Sequence, residues 1–271
     1  MQDATTASVL AALLQQVTAA PASVLLLDYD GTLAPFHVDR NRAYPYPGVV
    51  PLLSRIVESG RTRVILLSGR PIVELRTLLA SLDSIEMWGS HGMEHQSSNG
   101  SYSRCQISCK DADSLAEAHR RVASAGLLPH TEIKLGGIAI HWRGLLPAEA
   151  RHAQNLALQG WAPLAVASGL KLLHFEAGLE LCMSHPNKGD AVRSVVASLD
   201  PNVPVACLGD DLTDEDAFQA LGERGLSVLV KADYRETLAQ AWIRPPQELL
   251  HFLERWLSSS TESPSIVSSG L

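Results

Sequence analysis

The sequence has few cysteines, few aromatic residues and less positive than negative charge. Its 271 residues include four cysteines, and their irregular spacing does not suggest a disulfide framework. No run of 18 apolar residues is present, which excludes a membrane-spanning helix. No Lys or Arg precedes Arg40, so the first residues lack the basic start of a signal peptide. We therefore expect a cytoplasmic protein that does not bind a membrane.

Acidic residues outnumber basic residues by 29 to 22, which gives a formal net charge of −7. This balance argues against nucleic acid or an anionic membrane surface as the main partner. Hydrophobic residues make up 46% of the chain and charged residues 19%, a composition that is typical of a globular protein with a large core.

Short apolar runs that end in turn signals predict strands buried on both faces, as in a parallel sheet. Helical segments lie between them. This alternation predicts an α/β fold, a doubly wound parallel-sheet (Rossmann-like) core with its chemistry at the carboxyl ends of the strands. The predicted strands are 24–27, 63–67, 203–208 and 226–230, and the predicted helices are 71–81, 189–199 and 214–221.

The middle of the chain has a different pattern, in the order αββαββ. Hairpin-turn signals separate its paired strands, which predicts an antiparallel sheet with helices on one face. We interpret residues 104–183 as an inserted α+β domain. The core then comprises residues 1–103 and 184–257, and the serine-rich tail 258–271 is expected to be disordered.

Carboxylates follow two of the predicted core strands. Asp28 and Asp30 lie two residues apart after the first strand, where they would repel each other unless a cation lay between them. Five acidic residues fall within 210–216, after another strand. Ordinary capping explains part of this second group, with Thr213 as the cap of the next helix. The remaining hard oxygen ligands, without histidine, favour Mg²⁺.

Two further polar residues have an ordinary structural interpretation when each is taken alone. Ser68, at a predicted helix start, could bind phosphate or could cap the helix. Lys188 could be a solvated lysine. Their order along the chain relative to the two acidic groups favours a role for both residues in the same site.

The ordered set Asp28-Tyr29-Asp30-Gly31-Thr32, Ser68, Lys188 and Gly209-Asp210-Asp211 resembles the four motifs of the haloacid-dehalogenase-like phosphohydrolases. The inserted domain resembles a cap domain of that superfamily. Within it, the chain is similar to the trehalose-6-phosphate phosphatase family. That resemblance rests on the stretches 27–35, 89–94, 132–134, 141–143 and 208–215, and on Glu180.

The resemblance implies a magnesium-dependent phosphatase that converts trehalose 6-phosphate to trehalose and phosphate. Asp28 would be the nucleophile that forms an aspartyl-phosphate, and Asp30 the general acid and base. Lys188 would pair with Asp28 and a phosphate oxygen, and Ser68 would donate a hydrogen bond to another phosphate oxygen. The implied metal ligands are Asp28, the Asp30 carbonyl and Asp210, with Asp211 and Asp214 as further candidates. The implied substrate-binding residues are Gly31, Thr32, Gly69, Arg70, His91, Glu94, Lys134, Arg143 and Glu180.

The exact substrate and the reaction type stay open at this point. The segment Glu180-Leu181-Cys182-Met183 departs from the usual family pattern E-x-K-P, so sucrose phosphate or a glucosylglycerol phosphate could be the substrate. A phosphotransferase or mutase would also fit the motifs. A non-enzymatic phospho-acceptor domain would share the acidic pocket, although Asp30 and the inserted domain argue against it. In the inserted domain, Glu132 and Lys134 could form an exposed salt pair. A monomer is compatible with the sequence.

Overall fold

A computed structural model describes residues 2–80, 82, 85–175 and 177–262. Within these residues the chain forms two compact units. The inserted unit is Arg104–Asn187, and the core unit comprises the rest of the described chain. The helices and strands, in chain order, are α1 (Gln2–Ala19), β1 (Ser23–Leu27), α2 (Val49–Glu58), β2 (Thr62–Leu67), α3 (Ile72–Leu78), β3 (Glu86–Gly89), β4 (Glu94–Gln96), β5 (Tyr102–Arg104), α4 (Cys109–Ser124), β6 (Thr131–Lys134), β7 (Gly137–His141), α5 (Pro147–Ser168), β8 (Lys171–Phe175), β9 (Gly178–Cys182), α6 (Lys188–Ala197), β10 (Val205–Gly209), α7 (Leu212–Leu221), β11 (Leu226–Val230), β12 (Ala241–Ile243) and α8 (Gln247–Thr261).

The core unit is built on an eight-stranded sheet with the order β12-β11-β10-β1-β2-β3-β4-β5. The strands from β12 to β3 pair in parallel, and β4 runs antiparallel to β3. All five residues of β1 are buried, which agrees with its unbroken apolar sequence. Because β1 lies between β10 and β2, the carboxyl ends of these three strands meet at one edge of the sheet.

Helices cover both faces of this sheet, which confirms the predicted doubly wound core. Leu25 and Leu27 pack into a cluster with residues of α1, α2, α3 and α8. Val24 and Leu26 point to the other face and pack with α6 and α7. Successive residues of β1 therefore contribute to two separate apolar clusters. Among the described residues, no helix is both long and apolar enough to cross a membrane.

The inserted unit has the predicted αββαββ order. Its four strands form an antiparallel sheet with the order β6-β7-β9-β8. Helices α4 and α5 pack on one face around Trp161, whose indole N–H donates to the Ala118 carbonyl at 3.2 Å. Ile138 and Leu181 point into this apolar cluster. The neighbouring residues on each strand therefore lie on the opposite face, away from the helices.

Two boundaries in the structure differ from those predicted. The inserted unit extends to Asn187 rather than to residue 183, because the Ser184 hydroxyl donates to the Gly169 carbonyl at 2.8 Å and the Asn187 amide to the Ser184 carbonyl at 3.3 Å. Helix α8 continues through the start of the predicted disordered tail to Thr261, and Ser260 is buried against the core. Residues 263–271 of that tail lie outside the described residues.

Candidate active site

A buried lysine connects two aspartates at the carboxyl edge of the core sheet. The ammonium of Lys188, in the first turn of α6, donates to Oδ1 of Asp28 at 2.6 Å and to Oδ1 of Asp214 at 2.7 Å. All three side chains are almost fully buried. The structure therefore brings together residues from the end of β1, from α6 and from the start of α7.

Asp210, directly after β10, is the third carboxylate of this cluster. Oxygens of Asp28, Asp210 and Asp214 lie within 4.8 Å of one another. The buried Oδ1 of Asp210 has no hydrogen-bond partner among the described residues. An unpaired buried carboxylate oxygen beside another carboxylate is costly unless a cation binds there. The oxygen donors therefore fit Mg²⁺, and Asp28 and Asp210 are the candidate carboxylate ligands.

The electrostatics of the cluster follow from three acids around one base. Burial raises the pKa of Asp28 to about 7, and the nearby Asp214 carboxylate adds to this rise against the opposing effect of Lys188. Burial, together with Asp28 and Asp214, also raises the pKa of Asp210. Although burial opposes its charge, Asp214 and Asp28 raise the pKa of Lys188, so this side chain stays protonated.

Asp211 and Asp214 have structural roles in the loop after β10. Asp211, and not Thr213 as predicted, is the N-cap of α7, and Asp214 completes a capping box with it. Oδ2 of Asp214 accepts the backbone N–H groups of Asp210 and Asp211, each at 3.0 Å. Lys188 and two amides therefore take up three of the roughly four lone-pair positions of the Asp214 carboxylate. A direct contact of Asp214 with a metal stays a prediction.

The motif after β1 leaves space for Asp210. Gly31 has a φ of +84°, and a Cβ at this position would lie 2.3 Å from the Asp210 carboxyl carbon. Glycine is therefore required both by the backbone conformation and by the close approach of the acid. The neighbouring Thr32 is fully buried, and its Oγ1 has no hydrogen-bond partner within the described chain.

Asp30 is held by Arg70, one of the predicted substrate-binding residues. Nε of Arg70 donates to Oδ2 of Asp30 at 2.6 Å, and Nη2 donates to Oδ1 at 2.7 Å. Nη1 of Arg70 also donates to the Arg40 carbonyl at 2.8 Å. This two-point ion pair is geometrically specific, and Arg70 is only 4% exposed. In the described conformation, Arg70 therefore orients Asp30.

Ser68 and His91 lie in two loops that are hydrogen-bonded to each other beside this site. Ser68 is buried directly after β2, and its Oγ accepts the Arg70 N–H at 3.1 Å, while its own hydroxyl proton can still be donated. The His91 N–H donates to the Ser68 carbonyl at 2.9 Å. A Cβ on Gly69 would lie 2.5 Å from the His91 ring, so glycine at 69 is needed for this packing.

Glu94 holds the loop that carries His91. Oε2 of Glu94 accepts the Ser90 hydroxyl at 2.6 Å and the Ile72 N–H at 3.3 Å, while Oε1 accepts the Tyr102 hydroxyl at 2.8 Å. Because both oxygens bind the protein, the geometry favours a loop-holding role. A direct sugar contact by Glu94 stays a prediction.

The inserted unit presents its own polar cluster on the sheet face away from its helices. Nζ of Lys134 lies 2.5 Å from Oε2 of Glu180, whose side chain is 5% exposed. The alternative of a salt pair between Glu132 and Lys134 is not the pairing found, because Lys134 pairs across the sheet with Glu180. Glu132 instead contacts Nε2 of His141 at 2.8 Å. Arg143 follows β7 at an exposed position.

Two basic residues beside the core site were not among the site residues predicted from the sequence. Lys231 directly follows β11, and its Nζ lies 3.5 Å from Oδ2 of Asp210. Its position at the end of a parallel strand could have identified it. Arg235 donates to the carbonyls of Asp210 and Asp211 from the loop after β11, and no local sequence pattern marks it.

The parallel sheet, the two acidic strand ends and the buried lysine define a haloacid-dehalogenase-like hydrolase fold. A haloacid dehalogenase-like hydrolase from B. subtilis has this fold, with a TM-score of 0.60, 16% identity and coverage of 86% of this chain and 99% of that chain. The C-terminal domain of the C. albicans trehalose-6-phosphate phosphatase is also similar, with a TM-score of 0.78, 20% identity and coverage of 92% and 96%.

The chain belongs to the trehalose-phosphatase family, whose model matches residues 26–240. A trehalose-phosphate phosphatase of Mycobacterium ulcerans is 29% identical over 253 residues, which cover 88% of this chain and 62% of that protein. The chain thus corresponds to somewhat less than two thirds of the length of this relative.

Proposed function

We propose that this chain is a magnesium-dependent phosphatase that hydrolyses trehalose 6-phosphate through an aspartyl-phosphate on Asp28. The observation that carries the proposal is the buried cluster of Asp28, Lys188 and Asp210, with an unpaired Asp210 oxygen beside the nucleophile. Membership of the trehalose-phosphatase family supports the choice of substrate.

In the first step, a carboxylate oxygen of Asp28 attacks phosphorus and the bond between phosphorus and the sugar oxygen breaks. Lys188 holds Oδ1 of Asp28 at 2.6 Å and offers positive charge to the phosphoryl oxygens. The Ser68 hydroxyl can donate to another of these oxygens. When bound, Mg²⁺ would be held by Asp28, Asp210 and the Asp30 carbonyl, and would neutralise negative charge on the phosphoryl group.

Asp30 handles the proton in both steps. It protonates the departing sugar oxygen, then takes a proton from the water that attacks phosphorus and releases Asp28. Arg70 binds both oxygens of Asp30 in the described conformation. Proton exchange therefore uses a lone pair of Asp30 that Arg70 leaves open, or an oxygen that Arg70 releases when substrate is present.

Sugar recognition is assigned to the polar face of the inserted unit. Its carboxylates and lysine match the hydroxyl groups of a disaccharide, which donate and accept hydrogen bonds. Lys134 and Glu180 are the principal candidates because their ion pair fixes both side chains on that face.

The test is phosphate release by the purified chain from trehalose 6-phosphate, sucrose 6-phosphate, a glucosylglycerol phosphate and p-nitrophenyl phosphate, with and without EDTA. We expect trehalose 6-phosphate to be the best substrate, and EDTA to abolish the activity. Asp28→Asn should lower turnover by several orders of magnitude, because it removes the attacking charge. Asp200→Asn is the matched control, since Asp200 is exposed at the opposite edge of the sheet.

The outcomes separate the parts of the proposal. A tenth of wild-type activity in Asp28→Asn would exclude Asp28 as the nucleophile. Full activity after exhaustive chelation would exclude the metal. Preference for another sugar phosphate would change the substrate while leaving the phosphatase chemistry in place. No phosphate release from any compound would favour a phospho-acceptor domain.

A further inference from the structure

The loop that carries Asp210 is fixed on both sides of its backbone. Oδ2 of Asp214 accepts the N–H groups of Asp210 and Asp211, each at 3.0 Å. On the other side, Nε of Arg235 donates to the Asp210 carbonyl at 3.2 Å, and Nη2 donates to the Asp211 carbonyl at 2.8 Å. The three consecutive peptide groups between Gly209 and Leu212 are thus held in fixed orientations directly at the proposed metal ligand.

Arg235 is itself firmly anchored. Its Nη1 contacts the Glu215 carboxylate in the first turn of α7 and donates to the Glu236 carbonyl at 2.9 Å. The same Glu215 carboxylate accepts the Thr237 hydroxyl at 2.7 Å and the Leu238 N–H at 2.8 Å. The side chains of Arg235 and Glu215 are 19% and 21% exposed. Hydrogen bonds of Arg235 and Glu215 therefore connect the loop after β11 to the loop after β10 and to the start of α7.

We infer that Arg235 is a positioning residue that holds Asp210 in place for Mg²⁺, an inference that rests on the proposed function. Asp28, Asp210 and Asp214 repel one another, and this repulsion favours outward movement of the Asp210 loop whenever no cation is bound. The Arg235 hydrogen bonds oppose that movement. Less of the metal's binding free energy is then needed to order the loop.

The direction in which Mg²⁺ affinity changes when Arg235 is removed distinguishes a positioning role from a purely electrostatic one. A guanidinium near the site repels a divalent cation, so removal of its charge alone should tighten Mg²⁺ binding. Removal of a positioning contact should weaken binding, because outer residues that orient metal ligands typically contribute about 10- to 100-fold in affinity. Arg235→Ala removes the charge and the contacts together, so the direction of the change shows which effect is larger.

The experiment is a MgCl₂ titration of the full chain without substrate, followed by the rise in Tm. Stabilisation by a ligand depends on its concentration relative to Kd, so the titration yields Mg²⁺ affinity independently of activity. For Arg235→Ala we expect the Mg²⁺ concentration at half-effect to rise by about 10- to 100-fold. Arg235→Lys keeps the charge but not the planar pair of donors, and should give a smaller rise.

The chain offers a matched control at the other end of β10. Arg224 also donates to two carbonyls, those of Val203 at 2.8 Å and Asp200 at 2.7 Å. Arg224→Ala should lower Tm but leave the half-effect concentration of Mg²⁺ unchanged. An equal rise in both alanine variants would assign the Arg235 effect to general destabilisation and overturn the inference.

Two further outcomes distinguish this inference from the proposed function. An unchanged or tighter Mg²⁺ response in Arg235→Ala, with a normal response in the wild type, overturns the positioning role alone. A wild-type Tm that does not respond to Mg²⁺ overturns the metal dependence as well. If Arg235→Ala does not fold, Arg235→Lys and Glu215→Gln test the same contacts, and wild-type Mg²⁺ affinity in both overturns the inference.

Discussion

Replacement of Lys188 by methionine tests whether one ammonium group holds the acidic cluster together. The variant keeps the length and apolar stem of the side chain but leaves Asp28, Asp210 and Asp214 without the ammonium that bridges two of them. Breaking a buried ion pair by removing one partner costs about 3–5 kcal/mol. For a domain of this size, that cost corresponds to a fall in Tm on the order of 10 °C.

The loss of stability in Lys188→Met should increase as the pH rises. The folded-state pKa of Asp28 is about 7, above the ordinary value of 3.8, so folding favours its protonated form. Stability from such a group is fully present below pH 3.8 and is lost as the pH rises through about 7. Without Lys188 this loss should be larger, because Lys188 opposes the rise. The Tm deficit of Lys188→Met should therefore be greater at pH 8 than at pH 5.5.

The assay is thermal unfolding in EDTA at both pH values, with Lys231→Met as the matched control. Nζ of Lys231 lies 3.5 Å from Asp210 and its side chain is 37% exposed, so its loss should change stability by about 0–1 kcal/mol. Phosphatase activity of Lys188→Met should be lost at both pH values. A Tm of Lys188→Met equal to that of the control at pH 8 would refute the reasoning.

Two further predictions concern the close packing of Gly31 against Asp210 and the recognition of the sugar. Gly31→Ala should abolish activity and Mg²⁺-induced stabilisation, because the new Cβ would meet the Asp210 carboxyl at 2.3 Å; Gly60→Ala, also at positive φ but with no atom within 4 Å, should keep both. Glu180→Gln should lower kcat/KM for trehalose 6-phosphate by roughly 10²-fold and leave p-nitrophenyl phosphate turnover nearly unchanged. Equal losses on both substrates would assign Glu180, with its partner Lys134, to the fold instead.

Much of the core could be predicted because its strands are buried on both faces. Strand β11 has the predicted bounds, and β1 and β2 differ from prediction by one residue at the start. Such strands need continuous apolar runs, which are visible in a sequence. Strands β3, β4, β5 and β12 were missed. The last three have only three residues each and lie at or near a sheet edge.

Topology and the family resemblance predicted which acids and bases lie at the site, and the resemblance also implied the observed pairing of Lys188 with Asp28. The pairings of Arg70 and Arg235 could not be predicted. Parallel strands bring their carboxyl ends to one edge, so Asp28 and Asp210 were expected to meet. The contact of Arg70 with Asp30 depends on one rotamer of a long side chain. The contacts of Arg235 depend on the path of an irregular loop. Neither has a local pattern, because the hydrogen-bond partners are distant in sequence.

The charge balance of the site explains why the proposed reaction needs a divalent cation. The ammonium of Lys188 contacts Asp28 and Asp214, and Nζ of Lys231 lies 3.5 Å from Asp210. Three acids against two bases leave surplus negative charge when all five groups are ionised. A phosphate monoester dianion adds more, and each unit-charge repulsion at about 4 Å costs roughly 4 kcal/mol near a protein surface. Arg70 is already paired with Asp30 and cannot offset this excess without releasing it. A divalent cation between Asp28 and Asp210 would offset this excess and part of the charge of the phosphate, so substrate binding should follow or accompany metal binding.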